Sequence, residues 1–496
     1  MVLPLLLLRS RFAFVIIKSN PSGRLSAHTQ LVYHTCGEFP MKKNRFFAWL
    51  LLVPLVLSLF VPIPAAALDE PELYCTNAVL LDANYGEVLY DKGAYEKAYP
   101  ASTTKVMTAL LVLDAIESGQ LTADTMVTAG ETRMQGIPSG ASYVVANLKL
   151  GEEMSVKELL YCLLVPSAAD AANVLAVAVD GTIEAFVEHM NRKAGELGCQ
   201  GTHFTNTSGV HSEEHYSTAY DLALIMNAAL QYDLFRTIIG TAVHTVPATN
   251  MSEERMYYNT NGLISNWTYS GYVYDKCIGG KTGNTDEAGR CLVAAAEDGD
   301  TLLISVVLGS GPVQVEGYAD LRQGQLISSS NLLKWGFSNF QRVTITRGDE
   351  PVAEVAVTLS RQADSVLVKP QGSITRTLPK DLDTELIESE ITLFSDTVEA
   401  PVKAGDVLGI MKLSYEGETY GELDLVAVTS VERSELLYKK QQFIEFFQSS
   451  TVKLVLVVIF LLAAFILLKL LVFRKRRRYR AGTGAHRRGN YRGTRR

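Results

Sequence analysis

From Leu454 to Phe473 the chain runs through twenty residues with a single charge, Lys469, and Arg474-Lys475-Arg476-Arg477-Arg478 follows at once. About twenty apolar residues suffice to cross the hydrocarbon core of a bilayer. A basic cluster at one end of such a span marks that end as cytoplasmic. The chain between this span and any export signal must therefore fold outside the cytoplasm. Such a signal begins at Met41. Met41-Lys42-Lys43-Asn44-Arg45 is a basic start, Phe46 to Ile63 is apolar, and Ala65-Ala66-Ala67 offers small residues before Asp69-Glu70. That is the layout of a secretory signal peptide over 41–67, cut after Ala67; the competing reading is a permanent anchor. Residues 1–40 precede a complete signal and read as an extra leader or a start-site artefact, with synthesis beginning at Met41.

The net charge of −7 conceals an asymmetry. Residues 68–468 carry 27 Lys/Arg against 52 Asp/Glu, while both ends are basic. A body this acidic repels phosphate backbones, so nucleic acid is excluded as a partner. The basic tail, 474–496, reads as a stop-transfer segment rather than a nucleic-acid arm. Five of the six cysteines follow the signal: Cys75, Cys162, Cys199, Cys277 and Cys291. An odd number without a CxxC pair gives no closed disulfide framework, zinc site or redox motif.

The exported region changes character once. Ala78–Leu81 and Glu87–Tyr90 flank a turn and predict a hairpin. Val106, Leu110, Leu113 and Ile116 are spaced as one face of a helix that stops at Gly119. Ser155-Val-Lys-Glu158 is a capping box opening a second helix through Leu164. Phe186, Met190 and Leu197 mark a third, ending at Gly198, and Thr218 caps a fourth from Leu222 to Leu230. Leu292–Ala296 and Thr301–Leu308 predict strands, and Lys334-Trp335 belongs to a last helix. Helices enclosed by an early hairpin and late strands point to a layered α/β (α+β) domain over 68–343. After Val343 the apolar residues nearly alternate, and turns recur at short intervals. Residues 345–435 therefore read as a small all-β domain without a catalytic cluster. Residues 436–453 read as an amphipathic linker to the span at 454–473.

Ser102-x-x-Lys105 places two side chains one helical turn apart. A serine hydroxyl needs a neighbour to take its proton, and a lysine desolvated by an apolar helix is able to do so. A helix start also offers free N–H groups to an oxyanion. The spacing alone is weak, since Ser450-x-x-Lys453 repeats it at the membrane edge. Lys281-Thr282-Gly283 adds an ammonium, a hydroxyl and an uncrowded backbone before the strand at Leu292, which suits a substrate with a free carboxylate.

The order SxxK, a serine-bearing element, then KTG is a known pattern of penicillin-binding proteins and β-lactamases. Pro100-Ala-Ser-Thr-Thr-Lys105, Thr202-His-Phe-x-Asn206, Tyr216-Ser-Thr-Ala-Tyr-Asp221 and Gly280-Lys-Thr-Gly283 resemble the D-alanyl-D-alanine carboxypeptidases. Ala400-Pro-Val-Lys-Ala-Gly405 resembles part of that family's C-terminal β domain. The resemblance spans about residues 72–435. It implies a penicillin-binding/β-lactamase-like catalytic domain with Ser102 as acylated nucleophile, Lys105 as general base and Ser167 as the second-motif serine. It further implies Lys281 and Thr282 on the terminal carboxylate, Gly283 in the substrate strand, and the N–H groups of Ser102 and Asn284 as oxyanion hole. The implied activity removes the terminal D-alanine of peptidoglycan stem peptides through an acyl-enzyme, with β-lactams as inhibitors and neither metal nor cofactor. One departure stands out. The family's second motif is Ser-x-Asn, and here Ala169 occupies the Asn position in Ser167-Ala-Ala-Asp170. A lost contact of that kind costs about 1–3 kcal/mol, which predicts weakened turnover.

Three rivals follow from the residues. His211-Ser-Glu-Glu-His215 matches an inverted zincin string, but Gly209 and the cap at Thr218 place it in a polar loop. A class A β-lactamase requires a deacylating Glu after the second motif, and the Glu70-Pro-Glu-Leu73 string precedes the nucleophile. A catalytically impaired wall-binding homologue is the reading that Ala169 favours.

Overall fold

The computed structural model describes residues 69–138, 144–415 and 417–480, with side chains to Phe473. The leader at 1–40, the signal segment at 41–67 and the tail beyond Arg480 lie outside the described residues, as do the side chains of the Arg474–Arg478 cluster.

The predicted hairpin forms as β1 (Asn77–Asp82) and β2 (Val88–Lys92). The chain then leaves the sheet for a group of helices and returns in three long strands, β3 (Cys277–Thr285), β4 (Gly289–Asp298) and β5 (Thr301–Ser310). Sheet order is β2-β1-β5-β4-β3, every pair antiparallel, so β3 is an edge strand. β4 and β5 each bury six consecutive residues, which is why they read as continuous apolar runs rather than alternating ones.

One face of the sheet packs on α1 (Lys105–Glu117), α2 (Val156–Leu164), α3 (Ala169–Asp180), α4 (Ile183–Glu196) and α5 (Ala219–Ala229). In α1, ten of the thirteen residues are buried, so it runs through the core as a helix apolar nearly all round. Ser155 and Thr218 cap as expected, their hydroxyls accepting from the N–H groups of Glu158 and Asp221. The sequence reading ended α2 at Leu164, as observed, but gave no helix over Ala169–Asp180; α3 follows after only Val165 to Ala168 and opens without a side-chain cap. The other sheet face is covered by α6 (Gly324–Asn339) through Leu326, Leu332 and Leu333. The result is a helices–sheet–helix layering.

β structure resumes at Phe340, a few residues before the expected boundary, because Phe340–Thr346 pairs with Ile374–Pro379. The all-β region centres on a six-stranded sheet in the order Glu388–Leu393, Val407–Tyr415, Glu418–Ala427, Ser365–Pro370, Ala353–Thr358, Thr397–Glu399. Its core is Val355, Val366, Val368, Met411, Leu413 and Leu425, the alternating positions of the sequence. Helix α7 (Glu435–Gln448) follows, capped by Ser434. Helix α8 (Ser450–Arg480) comes next, and within its Ser450–Phe473 stretch an 18-residue window has mean hydropathy 3.2 and no buried part. Its 24 residues extend about 36 Å, longer than a hydrocarbon core of about 30 Å.

Candidate active site

Ser102 lies on a single 3-10 turn, Ala101–Thr104, that leads straight into α1. Ala101 before it has a φ of 46°, in the left-handed region that non-glycine residues rarely adopt. Two glycines hold this strained turn from either side. A Cβ on Gly209, whose own φ is +83°, would stand 1.8 Å from the Ala101 carbonyl oxygen. A Cβ on Gly283 would meet the Pro100 carbonyl oxygen at 2.9 Å and the Ser102 nitrogen at 3.1 Å. The glycine of KTG is thus required by the approach of β3 to the Ser102 turn.

Lys105 Nζ donates to Ser102 Oγ at 2.8 Å and to the Ser208 carbonyl at 2.8 Å. The lysine is 2% exposed. Burial among apolar groups drives its pKa from the ordinary value of 10.5 to about 7, against the opposing pull of the Asp170 carboxylate. Asp170 is fully buried and accepts the N–H groups of Ala146 and Leu148 at 2.8 and 3.0 Å, pinning the strand-like segment beside the second motif. Lys281 is also buried, donates to the Thr282 carbonyl at 2.8 Å, and has its pKa pushed well down by burial and by neighbouring Lys105. Two desolvated ammonium groups side by side disfavour a doubly charged state.

Ser167 sits in the short turn between α2 and α3 with a φ of 73°, a second left-handed non-glycine residue. The same turn is tied to β3: Val165 O accepts the N–H of Thr260, and Thr260 Oγ1 lies 2.5 Å from Thr282 Oγ1. Ala169 is buried and opens α3 with its N–H on Val144 O. Asn173 does not take the missing amide's place. Its Nδ2 donates to the carbonyls of Thr132, Arg133 and Gln135, and its Oδ1 accepts from Thr207 Oγ1 at 2.6 Å. Asn284 is exposed near the end of the edge strand β3, where alternate backbone N–H groups point outward.

Two contributors were not singled out from the sequence. Asn206 Oδ1 accepts from the N–H groups of Ser208, Gly209 and Val210, shaping the loop that presents the Ser208 carbonyl to Lys105. Its position in the Thr202–Asn206 string was the available signal. Thr260 lies in an irregular polar segment without one. The His211–His215 string is a loop, as expected, and not a helical turn. His215 is 2% exposed, with Nε2 at 2.8 Å from Thr104 Oγ1 and Nδ1 accepting from Thr205 N at 3.0 Å. Burial and the nearby His203, His211 and Lys105 lower its pKa to about 3, so it packs as a neutral ring behind the Ser102 turn. No group of three or more metal-ligating side chains occurs among the described residues.

Residues 65–311 match the family described as D-alanyl-D-alanine carboxypeptidase, and residues 340–433 match the C-terminal domain of penicillin-binding protein 5. The chain is 32% identical over 405 residues to the D-alanyl-D-alanine carboxypeptidase DacF of Bacillus subtilis, across 80% of this chain and 96% of that protein. It is 31% identical over 393 residues to DacC of Escherichia coli, across 78% and 92%. The crystal structure of penicillin-binding protein 5 from Haemophilus influenzae superposes with a TM-score of 0.58 at 28% identity, covering 73% of this chain and 99% of that one.

Proposed function

We infer how this site works from the family the chain belongs to, the D-alanyl-D-alanine carboxypeptidases: it is a serine-type, penicillin-binding carboxypeptidase that hydrolyses the terminal D-Ala–D-Ala bond of peptidoglycan stem peptides. The observation that carries the assignment of roles is the 2.8 Å contact between Ser102 Oγ and a buried Lys105 whose pKa lies near neutrality.

In our reading the neutral Lys105 amine takes the Ser102 proton as Oγ attacks the carbonyl of the penultimate D-alanine. Ser102 sits where a helix start leaves N–H groups without intrahelical acceptors; with the Asn284 N–H it stabilises the oxyanion. The proton passes by way of Ser167 to the leaving D-alanine nitrogen, the C–N bond breaks, and an ester links Ser102 to the shortened peptide. Water then attacks that ester, Lys105 again accepting the proton, and Ser102 is released. Lys281 and Thr282 form the carboxylate end of the cleft, and Gly283 lets the backbone approach. A β-lactam follows the first half, its ring amide opening on Ser102. The placement of Ser208 O against Lys105 supports function despite Ala169, because one acceptor of the catalytic amine remains in place.

For location we propose export by the segment at 41–67, a single span at 454–473 with the C-terminus cytoplasmic, and 68–450 on the outer face. The exposed apolar stretch of α8 and the Arg474–Arg478 cluster after it support this. The test of function is D-alanine release from a pentapeptide by the detergent-solubilised full chain. Wild type should release it and Ser102→Ala should not; equal release by both would overturn the assignment of Ser102.

A further inference from the structure

The turn that carries Ser167 runs only from Val165 to Ala168, and Ser167 holds a left-handed φ of 73° within it. A non-glycine residue keeps such a conformation only where its surroundings over-determine it. Ala169 has no polar side chain to help, so the constraint falls on backbone bonds at the two ends of the turn. Both ends trace to one segment, residues 255–260. It begins as a strand, Arg255–Tyr258, paired with Val243–Val246.

At the near end, Thr260 N–H donates to Val165 O at 3.3 Å. At the far end, Ala169 N–H donates to Val144 O at 2.8 Å, and residues 144–148 are fixed in turn through Ala146. Arg255 Nη1 and the Tyr257 hydroxyl both donate to Ala146 O, each at 3.1 Å. Ala146 N–H donates to Asp170 Oδ1 at 2.8 Å, one residue beyond Ala169. Ala146 is thus gripped from two sides, by Arg255 and Tyr257 on its carbonyl and by the first turn of α3 on its N–H. Arg255 is itself anchored. Its Nη2 donates to Glu152 Oε1 at 2.7 Å, and that carboxylate, with no exposed side-chain surface, also accepts from Thr249 Oγ1 and Lys149 N–H. A guanidinium serves a carbonyl and a carboxylate at once in a fixed fork, whereas a lysine ammonium is a point charge on a flexible stem.

We infer that Arg255 is a positioning residue for the acyl-transfer reaction: through Ala146 and Val144 it holds the Ser167 hydroxyl in line between Lys105 and the leaving nitrogen, so its loss is felt in turnover rather than in binding. This rests on the reading of Ser102 as nucleophile and Ser167 as proton relay.

The test is the time course of acylation by a fluorescent penicillin in the detergent-solubilised full chain, read at several penicillin concentrations. Arg255→Lys keeps a positive charge beside Glu152 and loses the fork. It should lower the maximal acylation rate by about 10- to 100-fold, the effect of displacing a reacting group by up to about 1 Å, and leave the half-saturating concentration within about twofold. Tyr257→Phe removes only the second donor to Ala146 O and should lose roughly threefold in the same rate, which keeps the test open if Arg255→Lys fails to fold. End-point labelling counts the folded, competent sites of each variant. In a Ser167→Ala background neither substitution should cost more than about twofold further, because the group they position is gone. Full losses that persist in Ser167→Ala, or that fall on the half-saturating concentration alone, would overturn the assignment of Arg255, as would Arg255→Lys acylating at the wild-type rate. Ser167→Ala acylating at the wild-type rate would overturn the relay and this inference together, while labelling lost in Ser102→Ala left the nucleophile standing.

Discussion

Lowering the pH should switch off acylation of Ser102 along a curve set by Lys105. The base must be neutral to accept the serine proton, and its pKa is about 7. At pH 7 about half of the enzyme then carries the competent amine; each unit below removes roughly a factor of ten, leaving about 1% at pH 5. The rate should level off above pH 8. The measurement is the initial rate of fluorescent penicillin incorporation into the full-length protein between pH 5 and 9. Asp170→Asn supplies an internal check of sign. The Asp170 carboxylate raises the Lys105 pKa by favouring the ammonium, so its removal should move the midpoint to lower pH and preserve more activity in acid. A rate independent of pH across this range, or an acid-side limb that moves up in Asp170→Asn, would refute Lys105 as the base.

The same burial has a stability consequence. In the unfolded chain Lys105 holds its proton up to about 10.5, so between about 7 and 10.5 the unfolded state binds more protons and stability from this group rises with pH. Lys105→Met should accordingly raise the thermal midpoint at pH 6, with a ceiling on the order of 5 kcal/mol, and the gain should shrink towards pH 10. Gly209→Ala forces a Cβ to 1.8 Å from the Ala101 carbonyl oxygen and an alanine into a φ of +83°. Penicillin labelling should fall by about 100-fold or more, the consequence of displacing a reacting group by about 1 Å. Ala169→Asn restores the second-motif amide and should raise acylation by about tenfold, the worth of one hydrogen bond of roughly 1.4 kcal/mol; a neutral result would mean that the site works without that amide.

The helices of the catalytic layer were legible because their caps and apolar spacing agree, as at Ser155 and Thr218. α3 was not, because its N-cap position is Ala168, whose side chain offers no acceptor to the first N–H groups. The contact between Ser102 and Lys105 was legible because it depends on spacing along one turn. What spacing could not convey is depth. The pKa of Lys105 follows from its burial by residues distant in sequence. The pairing of Thr260 with Thr282, and the opposite faces taken by Lys281 and Thr282, follow from sheet register and from a loop without periodicity. The wall-binding alternative rested on Ala169. The family relationship supports hydrolysis, and Lys105 keeps the Ser208 carbonyl as an acceptor besides Ser102.

The most direct test of the central claim is covalent labelling of the full-length protein and its Ser102→Ala variant by a fluorescent penicillin, followed by peptide mapping of the labelled band. A single adduct on the peptide containing Ser102, absent from the variant although it folds, is the result this account predicts. A folded wild type that takes no label, or a label that persists in Ser102→Ala, would contradict it.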